Sequence, residues 1–318
     1  PKQLVMATGM SGMPNVPKFA GAESFEGEQQ HSSQHPGPDA YAGKKCVIVG
    51  SNNSAHDIAA ALWEHDADVT MLQRSSTHIV KSDSLMEEVL GPLYSEEAVA
   101  GGLTHEKADL LFASIPYKVL PDFQRPAFEA IKQRDAEFYQ KLEDAGFMLD
   151  FGDDESGLFL KYLRRGSGYY IDVGACDLVA NGDIKLRSGV GIERINPRSI
   201  TLTDGSELDA DLIVYATGYG SMNGWAARLI FQEVADKGPD GTGNRRPAGQ
   251  GLGAGLRHHQ RPRPVGRRAA QYVEAHPTRG AVVPRWQPAP VPALLSLFGA
   301  VVEGAYGRTR YPRLWAAA

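Results

Sequence analysis

The clearest chemical signal in the sequence is a short polar turn between an apolar run and a helical pattern. The run Cys-Val-Ile-Val at 46–49 is typical of a buried parallel strand, and the residues after the turn have helical spacing. The turn comprises Gly50, Ser51, Asn52, Asn53, Ser54 and Ala55. In this setting the first helical amides can bind a pyrophosphate, and small residues let the backbone approach it. We therefore predict a dinucleotide site here, with an ordinary strand–turn–helix connection as the alternative.

Two positions of this turn match what a dinucleotide site requires. Gly50 suits the tight turn, and Ala55 is small enough for close packing of the helix on the strand. Asn52 stands where such a turn usually has its middle glycine. Because asparagine tolerates left-handed backbone angles better than most residues, we expect the turn to form with Asn52 in place.

The run at 68–75 is the second predicted strand, and the residues at its end indicate which nucleotide is bound. NAD enzymes usually place an acidic residue there for the ribose 2′-hydroxyl, whereas NADP enzymes offer a basic residue for the 2′-phosphate. This chain has no acid at that point but has Arg74 followed by Ser75 and, two residues later, Thr77. A guanidinium supplies fixed donors to a phosphate. We predict NADP(H) binding by Arg74, Ser75 and Thr77, and a solvated loop arginine is the alternative.

The remaining patterns predict the elements that position these residues. Residues 81–165 are mostly helical in pattern and form a predicted insertion, and short strands follow, with a hairpin turn at Asp204-Gly205. Residues 3–9 and 211–219 both read as an apolar strand that ends in Ala-Thr-Gly, the second at Ala216, Thr217 and Gly218. The predicted fold class is α/β, with a Rossmann-type βαβ unit at its centre.

Composition excludes several function classes. The formal net charge of −5 argues against a nucleic-acid binder, and no apolar run is long enough to span a membrane. The two cysteines, Cys46 and Cys176, form no CxxC pair, so we predict no metal site and a reducing, cytoplasmic location. No Ser-His-Asp set, HExxH motif or convincing carboxylate pair is present. A homo-oligomer is compatible with the sequence.

Several motifs together resemble the flavin-containing monooxygenases, which are related to plant auxin-synthesis and Baeyer–Villiger enzymes. Phe25-x-Gly27-x-x-x-His31 is similar to the family signature that precedes its second Rossmann motif, although His35-Pro36 stands where an aromatic residue is expected. The Ala-Thr-Gly-Tyr sequence that begins at Ala216 is also typical of the family. The resemblance covers roughly residues 3–237.

The resemblance implies an enzyme that uses NADPH, FAD, molecular oxygen and a small organic substrate. In such enzymes NADPH reduces FAD, and oxygen is then transferred through a flavin hydroperoxide. It further implies an FAD-domain remnant and linker at 1–40, an NADP-binding Rossmann domain at 41–190 and a return to the FAD domain at 191–237. Residues 216–218 are expected to contact the cofactor. The weak catalytic candidates that it suggests are His31, Arg164 and Arg165.

Two other functions remain open from the sequence. A flavin-dependent NADPH reductase that passes hydride to a disulfide or quinone shares several motifs, and the missing CxxC pair counts against it. A non-catalytic NADP-binding fragment is the other, because the glycine-rich FAD loop with which the family begins is expected before Pro1.

Residues 238–318 differ sharply from the rest of the chain. They contain 12 arginines, no lysine and only three acidic residues, and they are rich in glycine and proline. When the codons of residues 252–308 are read one base later, synonymous choices allow a periodic sequence that resembles the C-terminus of the family. We therefore expect a frameshifted and disordered tail, with a genuine basic disordered tail as the alternative.

The frame hypothesis predicts that deleting one base, or inserting two, near the codon for Lys237 restores the shifted reading through to its natural stop. Limited proteolysis of the present chain should remove residues 238–318 and leave the nucleotide domain intact, because abundant glycine and proline oppose regular structure. Mass spectrometry of the digest measures this. A compact, protease-resistant C-terminal domain would contradict the hypothesis.

Overall fold

Five parallel strands form the central sheet of the protein in a computed structural model that describes residues 5–7, 9 and 11–237. They are β1 (Glu28–His31), β2 (Lys45–Val49), β3 (Asp68–Gln73), β6 (Lys185–Ser188) and β10 (Leu212–Tyr215). Their order is β1-β10-β2-β3-β6, and every neighbouring pair is parallel. The predicted α/β fold with a parallel sheet is confirmed.

The predicted strand–helix–strand unit lies at the centre of this sheet. β2 is followed by a turn and then by α1 (Asn53–Glu64), which returns the chain to β3. The buried face of α1 carries Ala55, His56, Ala59 and Leu62. Ile58 on the same helix is half-buried and packs at the margin of this core.

The two faces of the sheet belong to two hydrophobic cores. Alternate strand residues point to opposite faces, so β2 contributes Cys46 and Ile48 to one core and Val47 to the other. The first core packs against α1 and the helices that follow. The second core packs against a small antiparallel sheet and includes Ile195, Ile200 and Leu202. The sheet is therefore covered on both sides, as buried parallel sheets usually are.

The predicted insertion is helical, and a pair of parallel strands brackets it. The chain enters through β4 (His78–Lys81) and leaves through β5 (Tyr169–Asp172), which pair with His78 opposite Tyr169. Between them lie α2 (Ser82–Leu85), a π-helical turn (Met86–Leu90), α3 (Gly91–Tyr94), α4 (Glu96–Ala100), α5 (His105–Ser114), α6 (Leu120–Arg134), α7 (Ala136–Asp144) and α8 (Gly157–Arg165).

The remaining elements complete the two layers. Two short 3-10 helices span Ala22–Ser24 and Ser32–Gln34, and the other elements are α9 (Ala175–Ala180), β7 (Ile192–Ile195), β8 (Ser199–Leu202), β9 (Glu207–Asp209), α10 (Asn223–Leu229) and α11 (Gln232–Lys237). The strands β7, β8 and β9 form an antiparallel sheet. The predicted hairpin at Asp204-Gly205 joins β8 to β9, with Gly205 at a φ of +81°.

The central sheet includes strands from both sides of the suggested domain boundaries at 40/41 and 190/191. β1 lies before residue 41 and β10 lies after residue 190, yet both pair into the same sheet as β2. The strand predicted at residues 3–9 is absent from residues 5–7, and the rest of that segment apart from residue 9 lies outside the described residues. The tail at 238–318 also lies outside them. Within the part of the chain that the structure describes, no helix has the length and apolar character needed to cross a bilayer.

The two ends of α8 offer a matched test of packing in the insertion. Gly157 and Gly166 have φ values of +68° and +67°, but a Cβ on Gly157 would lie 2.4 Å from the buried Phe128 ring, whereas Gly166 faces open space. Gly166→Ala should cost about 1–2 kcal/mol of unfolding free energy for backbone strain. Gly157→Ala should cost about 1–3 kcal/mol more, because it overpacks the core. Urea unfolding of both variants measures the difference, and equal losses would show that Phe128 moves aside without cost.

Candidate functional site

The turn after β2 and the turn after β10 meet at the carboxyl edge of the sheet. Because β3 and β10 lie on opposite sides of β2, this edge is a topological switch point, where ligands of α/β sheets usually bind. Gly50 has a φ of +131°, and a Cβ there would lie 2.5 Å from the carbonyl oxygen of Ala216. The close contact of the two turns therefore requires glycine at position 50.

Backbone hydrogen bonds hold this junction on both sides. The amide of Gly50 donates to the carbonyl of Leu72 at 2.9 Å, and the amide of Ala216 donates to the carbonyl of Val49 at 3.0 Å. The first bond joins the turn after β2 to β3, and the second joins the turn after β10 to the end of β2. The junction is thus a continuation of the sheet hydrogen bonding beyond the strand ends.

Two side chains of the turn after β2 contact Thr77, the residue directly before β4. Ser51 is buried, and its Oγ lies 2.7 Å from Oγ1 of Thr77, which is buried as well. The Thr77 hydroxyl also donates to Oδ1 of Asn52 at 3.4 Å. The structure therefore places Ser51 and Thr77, two predicted cofactor ligands, in a brace beneath the turn.

Asn52 does not adopt the left-handed backbone that its residue type suggested. Its φ and ψ are −101° and −169°, an extended conformation open to any residue. The expectation that asparagine replaces glycine here for its backbone freedom is therefore wrong. Asn52 is the N-cap of α1, but its side chain caps no helical amide.

The first turn of α1 is bound to β5, and its N-cap residue makes no side-chain cap bond. Asn53 accepts a hydrogen bond from the amide of Ile171 at 3.2 Å, which ties the helix to β5. Ser54 is exposed, and Ala55 is fully buried, so Ala55 provides the close helix–strand packing predicted for it. Asn52 makes no side-chain cap bond, so the N-terminus of α1 carries amides without that partner and a partial positive charge at the carboxyl edge of the sheet.

The basic residue after β3 is exposed. Arg74, Ser75 and Ser76 are accessible, whereas Gln73 before them is fully buried. No ion pair of Arg74 is found among residues 5–7, 9 and 11–237. Its guanidinium is thus available to an anion at the carboxyl edge of the sheet.

His31 connects β1 to the turn after β10. It is buried, its Nε2 lies 2.9 Å from the carbonyl oxygen of Gly218, and its Nδ1 accepts from the amide of Ser33 at 3.2 Å. These contacts place the proton on Nε2, which donates to Gly218. The ring also meets Tyr219 edge-on at 5.1 Å. His31 therefore shapes the turn at 216–218, together with Asn15, whose amide donates to the same carbonyl at 3.0 Å.

Thr217 and Gly218 are held in this turn in different ways. The Thr217 hydroxyl donates to the carbonyl of Asn15, and Gly218 has a φ of +75°, which favours glycine. Ala216 is buried against the first core. The three residues predicted to contact a cofactor therefore form a structured turn beside Gly50.

Arg164 and Arg165 belong to the helical insertion and bind acidic residues there. Arg164 donates to both carboxylate oxygens of Asp154, at 3.0 and 2.7 Å, and this pairing holds the pKa of Asp154 well below its usual range. Arg165 lies 3.7 Å from Asp153. The structure thus joins these arginines to the loop before α8, and no contact brings them to the turn at Gly50 within the described residues.

Sequence reasoning missed a buried histidine beneath the turn. His56 is fully buried, and its ring stacks on Tyr170 with centroids 4.1 Å apart and an angle of 4°. Burial lowers the pKa of His56 to about 4, so the ring is neutral at pH 7. Its position beside Ala55 on the packed face of α1 was the one signal that could have revealed it.

Comparison with known proteins finds similar sequences among oxidoreductases. The profile of the family described as pyridine nucleotide-disulphide oxidoreductase matches residues 1–116. A probable indole-3-pyruvate monooxygenase, YUCCA10 of Arabidopsis thaliana, is 28% identical over 218 residues, which cover 69% of this chain and 49% of the relative. Indole-3-pyruvate monooxygenase YUCCA1 of Oryza sativa subsp. japonica is 28% identical over 74% of this chain and 52% of its own length.

The chain spans about half the length of the curated relatives it matches. Among solved structures, an open crystal structure of cyclohexanone monooxygenase matches 70% of this chain and 49% of that chain, with 17% identity and a TM-score of 0.47. The chain is thus similar to pyridine nucleotide-disulphide oxidoreductases over residues 1–116, and to plant monooxygenases over about two thirds to three quarters of its length.

Proposed function

We propose that this chain carries the NADPH-binding part of an FAD- and NADPH-dependent monooxygenase. The single observation that carries the nucleotide assignment is the exposed Arg74 at the carboxyl end of β3, next to the open N-terminus of α1. A pyrophosphate on the α1 amides would place the adenosine ribose toward the end of β3. A guanidinium there favours a 2′-phosphate, and no acidic residue directly follows β3 at 74–77 to accept from a free 2′-hydroxyl.

The contacts at the carboxyl edge of the sheet are compatible with a dinucleotide. Gly50 has no side chain where the turn after β2 meets Ala216. The brace of Ser51 and Thr77 keeps the turn in one conformation. We infer that residues 50–55 bind the pyrophosphate mainly through backbone amides, and that Arg74 and Ser75 bind the 2′-phosphate.

The oxygen chemistry belongs to the flavin. FAD, when bound, accepts a hydride from NADPH and activates molecular oxygen for transfer to a small organic substrate. This chain's residues hold the nucleotide, orient its nicotinamide end toward the turn at 216–218 and exclude water there. The relatives named indole-3-pyruvate monooxygenases support a monooxygenase rather than a reductase. Because the chain spans about half of those relatives, the activity and substrate of the whole protein are proposed here.

A flavin disulfide reductase is the second candidate, because the matching family profile is named for that chemistry. Such an enzyme needs an accessible thiolate beside the flavin. Cys46 and Cys176 are both buried and free, and burial raises the pKa of Cys46 to about 12 and that of Cys176 well above its ordinary value. At neutral pH both thiols are therefore protonated and shielded, so neither is a suitable redox nucleophile for this candidate.

Replacing Arg74 should alter the choice between the two nicotinamide nucleotides. A hydrogen bond to a charged group contributes about 1.5–3 kcal/mol, so Arg74→Ala should weaken NADPH binding roughly tenfold or more. NADH binding should stay nearly unchanged, because it lacks the 2′-phosphate. Titration of both nucleotides measures this, and Arg198→Ala, an exposed arginine paired with Glu26, is the control. Equal loss for both nucleotides would show that Arg74 does not bind the 2′-phosphate.

Turnover of the complete protein separates the two candidate activities. A monooxygenase should consume oxygen and NADPH together and should form an oxygenated product from a thioether or a ketone. Cys46→Ala and Cys176→Ala should leave the ratio of product to NADPH unchanged, because neither buried thiol takes part. Oxygen uptake and mass spectrometry of the product measure this. Thiol-dependent NADPH oxidation without oxygenated product would instead establish the reductase.

A further inference from the structure

The loop that carries Arg74 is bound along its length to a segment of the helical insertion. The buried Gln73 side chain pairs with the backbone of Met148, accepting from its amide at 2.8 Å and donating to its carbonyl at 3.0 Å. On the far side of the loop, the amide of Thr77 donates to the same carbonyl at 2.9 Å. The amide of Asp150 donates to the carbonyl of Thr77 at 3.3 Å. The two ends of the loop are therefore fixed to residues 148–150.

Asp150 extends this connection into the exposed part of the loop. Its carboxylate accepts from the hydroxyl of Ser76 at 2.7 Å and from the amide of Gly152 at 2.9 Å. Burial alone would raise the pKa of Asp150, but the hydrogen bonds from Lys161 and Ser76 outweigh it and lower that pKa. Asp150 is thus a carboxylate that lies one hydrogen bond away from the loop proposed to bind a phosphate.

The buried ammonium group of Lys161 forms an ion pair with the Asp150 carboxylate. Its ammonium group binds both oxygens of Asp150, and its side chain is only 4% exposed. The chain at Gly168 closes over the side chain, since a Cβ there would lie 2.9 Å from Cε of Lys161. A buried ammonium in this position cannot exchange its partner for water. The Lys161–Asp150 pair is therefore a fixed part of the support beneath the loop.

An unpaired Asp150 would oppose the binding of a phosphate. Like charges close together in a partly buried site repel each other more than they would in water. The amide contacts of Gln73 and Thr77 would remain, but the carboxylate would add a negative charge beside Ser76. The effect would fall on a nucleotide with a 2′-phosphate and would spare one without it.

We infer that Lys161, through Asp150 and Ser76, is a positioning residue for nucleotide selectivity: it holds the loop at 74–77 in the conformation that presents Arg74 to a 2′-phosphate. This inference rests on the proposed function. Lys161 itself touches no nucleotide. If the Lys161–Asp150 pair only stabilised the insertion, its loss would change NADPH and NADH affinity alike. If it positions the loop at 74–77, its loss changes the ratio of the two dissociation constants.

The test compares NADPH and NADH dissociation constants of the full chain and four variants. Ser76→Ala cuts the link at an exposed residue, and Lys161→Met removes the buried charge while keeping an unbranched apolar side chain. Lys161→Arg keeps the charge and should rescue selectivity. Lys185→Met, which breaks an exposed pair with Asp68 on β3, is the matched control. Far-ultraviolet circular dichroism and thermal unfolding report whether each variant folds.

The expected result is a selective loss. Ser76→Ala should weaken NADPH binding about threefold to fivefold, as one lost hydrogen bond implies, and Lys161→Met about tenfold or more. Both should leave NADH binding within about twofold, and Lys161→Arg and Lys185→Met should retain the ratio of the parent chain. If Lys161→Met does not fold, Ser76→Ala alone decides the question, because its side chain is exposed.

The contrary results are distinguishable. If Arg74→Ala abolishes the preference for NADPH but folded Ser76→Ala and Lys161→Met keep it, the proposed function stands and the positioning role is wrong. An equal loss of NADPH and NADH in these variants also overturns the positioning role. If the parent chain has no preference for NADPH, the nucleotide assignment fails, and the inference built on it fails with it.

Discussion

The architecture of the site depends on one close backbone contact, that between Gly50 and the carbonyl of Ala216. A Cβ at position 50 would lie 2.5 Å from that oxygen, so the two turns can touch only because one of them has no side chain. The contact brings the carboxyl ends of β2 and β10 together at the switch point of the sheet. Two further contacts are arranged around this junction: Ser51 with Thr77 on the side of β3, and His31 with Gly218 on the side of β1.

The pairing of β4 with β5 links the helical insertion to the loop that carries Arg74. β4 follows this loop directly and pairs with β5, so the insertion leaves and rejoins the rest of the fold at one place. Met148 and Asp150 return to the loop beside that place. Arg74 itself remains exposed, while its neighbours are fixed before any ligand binds. Such preorganisation lowers the entropy that a ligand must lose on binding, so the cost of ordering the loop is met by folding.

Local sequence patterns predicted those elements whose partners lie nearby in the chain. The β2–α1–β3 unit and the Asp204-Gly205 hairpin carry their own apolar periodicity and turn residues, and both are present. β1 could not be predicted in this way, because Glu-Gln-Gln-His is polar and pairs with β10, far away in the sequence. Lys161 gave no signal either: its burial depends on Asp150 and Gly168, and lysine is ordinarily exposed. The residues predicted to bind phosphates, Gly50 to Ala55, do lie together in one turn at the carboxyl end of β2, and their role as ligands stays a prediction.

The backbone of Asn52 bears on the usual glycine in a dinucleotide turn. Its φ of −101° shows that the middle position needs no left-handed angle in this chain. Conformational freedom is thus not required at position 52. The Asn52 side chain accepts a hydrogen bond from Thr77. Thr77 is in turn held by the backbone of Met148, so the helical insertion is linked through Thr77 to the turn after β2. For the proposed nucleotide site, this link holds the Asn52 side chain on the side of the turn that faces Thr77.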